Sequence, residues 1–147
     1  MSVEPEFQVE SEFKGAEGMD PEVAEEYRQL AEIRGYHFPK YEWLGRFDPA
    51  FERTRMQYIR MTYTREDGVL PVKYKELIAA LILAYRLYPS TGVHFARALR
   101  EGATVREIVE ALELASIPGG QPLLLFGIEH LMALEVEEPE LFRAQSG

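Results

Sequence analysis

The stretch VKYKELIAALILAYRLY, residues 72–88, places the tightest constraint on the fold, because it is apolar on nearly every side when wound as a helix. Such a helix needs other elements packed around it. Its longest apolar run, LIAALILAY from Leu77 to Tyr85, is far short of the roughly 20 residues that cross a bilayer, so it is expected at the centre of an all-α domain.

The punctuation around this run is helical as well. Asp20-Pro21 and Asp48-Pro49 each pair a capping carboxylate with a proline suited to the first helical position, predicting helices from Pro21 to Gly35 and from Pro49 toward Tyr63. Between them GYHFPKYEWLGRF, residues 35–47, reads as aromatic and irregular. EDGVLP is a turn before the apolar helix, and Pro89, Ser90 and Gly92 break that helix. VHFARALRE follows as a short helix closed by Gly102, then Thr104-x-x-Glu107 matches a capping box for the next. Pro118-Gly119-Gly120 is expected to stop that one, with PLLLFGIEHLMAL and PELFRA as the last two. Six to eight helices and no period-two alternation make the chain all-α.

A length of 147 residues favours one domain, read as 20–147, behind an acidic arm over 1–19 whose Phe7 and Phe13 are available for packing. Hydrophobic residues at 46% and charged residues at 28% suit a packed interior rather than disorder. A formal charge of −9 without any Lys/Arg-rich run argues against nucleic acid or anionic membrane as partner. Cysteine is absent from the sequence, so thiolate nucleophiles, disulfides and cysteine metal sites are ruled out and a reducing cytoplasm is the expected setting. The N-terminal residues are acidic where an export signal is basic and apolar, so no signal is expected there.

One order of residues is specific. Leu70-Pro71 leads through lysines to Glu76 and the apolar helix; then come His94-x-x-x-Ala98-Leu99-x-x-Gly102-Ala103-Thr104, Glu107-Ile108-x-Glu110-Ala111-Leu112 and Gly119-Gly120-Gln121-Pro122. Over residues 66–134 this order resembles the carboxymuconolactone decarboxylase and alkylhydroperoxidase-D superfamily. The resemblance implies that superfamily's compact helical fold and its assembly into homo-oligomers, trimers or hexamers. In the redox branch a Cys-x-x-Cys-x-x-x-His pattern reduces peroxide; aligned on His94, this chain has Leu87 and Ser90 at the two cysteine positions, so thiol peroxidase activity is not expected.

The cysteine-less branch, which includes gamma-carboxymuconolactone decarboxylases, implies a lyase that needs neither metal nor organic cofactor. Its substrate would be a small anionic organic acid or lactone. On that reading His94 is the proton donor and acceptor, because imidazole titrates near neutral pH, and Glu76 orients it. Arg97, three residues on from His94, and Arg86, at the end of the apolar helix, are candidate partners for a substrate carboxylate, with His130 a further candidate. Each has a plainer alternative. His94 could be a helix-start histidine bonded to the backbone, Glu76 a first-turn acid favoured by the helix dipole, and Arg97 and Arg100 a solvated face. Ser90 and Thr91 read as caps, and His37 as a packed ring among aromatics. No two histidines have the spacing of a helical ligand pair, so no metal site is expected. The competing function is a non-catalytic small-ligand binding or assembly protein on the same fold.

Overall fold

The computed structural model describes residues 10, 12–15 and 17–147, and the chain divides into two compact units, residues 1–68 and 69–147. Eight α-helices and one isolated backbone bridge make up the regular structure of the described residues: α1 (Pro21–Arg34), α2 (Pro39–Phe47), α3 (Pro49–Thr62), α4 (Val72–Tyr85), α5 (Thr91–Arg100), α6 (Val105–Gly119), α7 (Gln121–Glu137) and α8 (Pro139–Ala144). The protein is all-α.

In the first unit the caps act as their chemistry dictates. Asp20 accepts from the backbone N–H groups of Glu22 and Val23 at 3.1 and 3.2 Å, and Asp48 from that of Phe51 at 3.0 Å. Gly35, at φ 77°, closes α1 in the left-handed conformation that costs other residues most. Val23, Tyr27, Leu30 and Met56 form the core, with Phe13 packed against it; Phe7 lies outside the described residues. The segment expected to be irregular is largely helical, as α2. Its start is concealed because Phe38 supplies no side-chain cap, leaving Pro39 at the first helical position as the only start signal. Buried Gly45 on α2 leaves the room that the Tyr27 hydroxyl occupies: a Cβ there would come within 2.7 Å of it.

The second unit is built around α4 and α5. Leu77, Ala80 and Ala84 of α4 meet Phe95 and Leu99 of α5 and Ile108 and Leu112 of α6 in one core. Contrary to the expectation of a fully enclosed helix, α4 buries one side only, and Ile78, Ile82 and Tyr85 are exposed. Uniform apolarity conceals which side neighbours will cover. After α4, Leu87 adopts φ 53°, which costs a non-glycine residue about 1–2 kcal/mol. The turn is held by Leu87 N–H to Ala84 O at 3.0 Å and Tyr88 N–H to Leu83 O at 2.9 Å.

The capping box of α6 forms in both directions: Glu107 N–H donates to Thr104 Oγ1 at 3.0 Å and Thr104 N–H to Glu107 Oε2 at 2.8 Å. Lys73 of α4 reaches Glu107 Oε1 at 3.3 Å. Pro118, expected to stop α6, lies inside its last turn, and Gly120 at φ 87° ends the helix. α6 and α7 approach closely at Gly127, where an added Cβ would overlap both methyl groups of buried Leu112. Among the described residues no helix is long and apolar enough to cross a membrane.

Candidate functional site

Each unit encloses a polar cluster. In the second unit Glu76 stands next to Leu77 on the inward side of α4, so the helix carries its carboxylate into the core, where it is 1% exposed. A buried carboxylate is costly unless it is paired. The partner is His94 of α5, itself 6% exposed, whose Nδ1 lies 2.5 Å from Glu76 Oε2. Glu76 is therefore not a surface acid at the helix start, and the side-chain partner of His94 here is a carboxylate. With the Nδ1 hydrogen directed to Glu76, the lone pair able to take a proton resides on Nε2.

The other residues expected around this pair are placed differently. Arg97 follows His94 by three residues on the same side of α5, one turn along. Its Nη2 pairs with Glu101 Oε1 at 2.8 Å, while its Nε is buried and without a hydrogen-bond partner. Arg86 caps the far end of α4, exposed, about 15 Å along the helix axis from Glu76. His130 of α7 is half-buried, and burial lowers its pKa below the usual imidazole value. Its ring meets Phe126 edge-on at 4.7 Å, and Nδ1 lies where a Cβ on Gly92 would come within 2.8 Å. Gly92 and His94 are two residues apart, roughly 200° around α5, so His130 packs on the opposite flank from His94.

Ser90 and Thr91 do not cap α5 with their side chains. Thr91 donates its hydroxyl to Tyr88 O at 2.8 Å, and Ser90 makes no capping bond.

The cluster in the first unit went unread in the sequence. Glu52 of α3 is fully buried and matched by three donors: the Tyr27 hydroxyl, and Arg55 Nε and Nη2, each at 2.7 Å. The Arg55 guanidinium also lies 3.5 Å over the centre of the Tyr41 ring. Burial, then the bond to Glu52, raises the Tyr27 pKa. His37 packs as expected, 5.2 Å from both the Phe13 and Tyr27 rings, and burial holds it down to about 4 and neutral. Glu52-x-x-Arg55 is a one-turn spacing that mostly marks a surface pair, so the only legible signal pointed the wrong way. With its carboxylate matched by these donors, the cluster ties α1 to α3.

An all-α chain with a buried carboxylate–imidazole pair joining two helices, and no cysteine, defines the class. The model of the carboxymuconolactone decarboxylase family matches residues 49–129, more than half of the 147, and the chain belongs to that family. The match begins at α3, earlier than the resemblance from residue 66, and so takes in Glu52 and Arg55. Neither the curated proteins nor the solved structures compared with it gave a match.

Proposed function

We propose that the protein is a cofactor-independent lyase that decarboxylates a small lactone or conjugated organic acid at His94. The observation that supports this reading is the buried Glu76–His94 pair, 2.5 Å apart. In the reaction the C–C bond to the leaving carboxylate breaks, its electron pair passes into the conjugated carbonyl, and carbon dioxide departs. His94 Nε2 takes up a proton from solvent at the start of the cycle, passes it to the enolate carbon and so returns to its lone-pair form. Glu76 orients the ring through Nδ1, so it is a positioning residue. Arg97 is the cation available on the same helix side for a substrate carboxylate.

The test is carbon dioxide release from a panel of small unsaturated lactone acids. Turnover of at least one is expected in the wild type, with a loss of about tenfold or more in Glu76→Ala. A panel without turnover, or turnover undiminished in Glu76→Ala, would remove the proposal.

We also propose that the protein is a homo-oligomer, a trimer or hexamer, in which further copies cover the side of α4 that carries Tyr74, Ile78, Ile82 and Tyr85. These recur at helical spacing along one open stripe, and exposed apolar patches of this kind mark association surfaces. Sedimentation should give a mass several times 16.9 kDa. A monomer at micromolar concentration would refute it.

A further inference from the structure

We propose that the exposed stripe of α3 is the surface that covers α4 in the assembly, the α3 of one copy lying against the α4 of the next. The proposal rests on the reading of α4 as an association surface and names what docks there. Among the described residues only α3 and α4, of the eight helices, hold no charged residue at an exposed position. Every other helix turns at least one to solvent: Arg28 on α1, Arg46 on α2, Arg100 on α5, Glu113 on α6, Glu129 on α7 and Glu140 on α8. Yet α3 is not poor in charge. Its three arginines are drawn away from the open side, Arg53 Nη2 to Asp20 Oδ2 at 2.9 Å, Arg55 Nε to Glu52 Oε1 at 2.7 Å and Arg60 Nη2 to Glu26 Oε2 at 2.8 Å. On α4, Lys73 turns to Glu107 and Glu76 to His94 in the same way.

What remains exposed has the make-up of an interface core, where charge is depleted and aromatic residues and Met are enriched. Phe51, Thr54, Tyr58 and Met61 lie within about 80° of one another around α3 and span about 15 Å along it. Tyr74, Ile78, Ile82 and Tyr85 lie within about 80° around α4 and span about 16 Å. The two stripes match in length, width and neutrality. Neutrality selects the occupant. Copies that each carry a net charge of −9 repel where their acidic surfaces meet, whereas contact between these stripes buries no charge and asks for no opposite charge on the partner. Pairing α3 with α4 also covers both stripes with one kind of contact, while α4 against α4 would leave α3 open to water. A contact between two different surfaces is head-to-tail, and its repetition closes a ring when the rotation between copies allows.

Because the sequence has no cysteine, single introduced thiols report the contact without background. Thr54→Cys and Ile78→Cys are made in separate full-length chains, purified alone or co-expressed, and treated with a short bis-maleimide. Each variant alone should stay unlinked, and the co-expressed pair should give a covalent dimer with one chain of each kind. Thr54→Cys and Ile78→Cys combined in one chain should give a ladder of linked chains. Tyr58→Glu, at an exposed position, should keep the helix content and weaken association by about a hundredfold or more, because its carboxylate would be buried without a partner. Linked dimers from either single variant, a link closed within one chain, or an unchanged mass for Tyr58→Glu overturns the pairing of α3 with α4. An oligomeric wild type whose co-expressed pair stays unlinked also overturns that pairing, and leaves the role of α4 standing. A monomeric wild type overturns both.

Discussion

His94→Gln is expected to keep its fold and to lose about 10²–10⁴ of its decarboxylation rate, the range over which a positioned acid or base contributes. The structure separates the two effects. The imidazole gives Glu76 a hydrogen-bond partner at 2.5 Å inside the core, and a glutamine amide has an N–H that can replace it. The carboxylate then keeps a donor, so helix content and the unfolding midpoint should change little. A primary amide is neither an effective acid nor an effective base near neutral pH, so the enolate would wait on water. Turnover and far-UV circular dichroism on the same samples provide the check. Retention of full turnover would end the catalytic assignment of His94 and leave the pair a structural one.

The largest expected loss of stability belongs to Glu52→Ala. Removing this carboxylate leaves the Arg55 guanidinium, now held by Nε and Nη2 to Glu52, as a partly buried cation without its partner, and deprives the Tyr27 hydroxyl of its acceptor on α3. Breaking a buried ion pair from one side costs about 3–5 kcal/mol, against a total near 5–15 kcal/mol for ordinary domains. Urea unfolding should show the midpoint fall accordingly. Glu52→Gln keeps one acceptor oxygen and should fall less. Equal midpoints for wild type and Glu52→Ala would mean that the network contributes nothing net.

These two centres differ in how far the sequence discloses them. Helix ends marked by short-range chemistry were legible: Asp20, Asp48, Thr104 and Gly102 act within a few residues of the backbone they serve. Pairings between helices were legible only where a family pattern supplied them. Glu76 and His94 are 18 residues apart, and it is their common place in the superfamily order that put them forward together. Tyr27 and Glu52 are 25 apart with no pattern to join them, so the buried network went unread. Apolar content had the same limit on α4, where composition alone could not tell Ala80 in the core from Ile82 in solvent. Ser90 was misread for a subtler reason. A serine before a helix is a cap only if its backbone is extended, and that angle is not written in the residue type.

The close approach of α6 and α7 has a genetic consequence. Every amino acid reachable from a glycine codon by one base change carries a Cβ, and at Gly127 that atom would meet Leu112, which is itself fully buried. An added Cβ would make the Leu112 side chain turn aside from the contact it fills or make the helices part, so among the one-base neighbours of the codon for residue 127 only the synonymous ones leave this contact as it is. Drift away from glycine is costly here in the first step, and it becomes easier in a lineage where residue 112 has first become smaller.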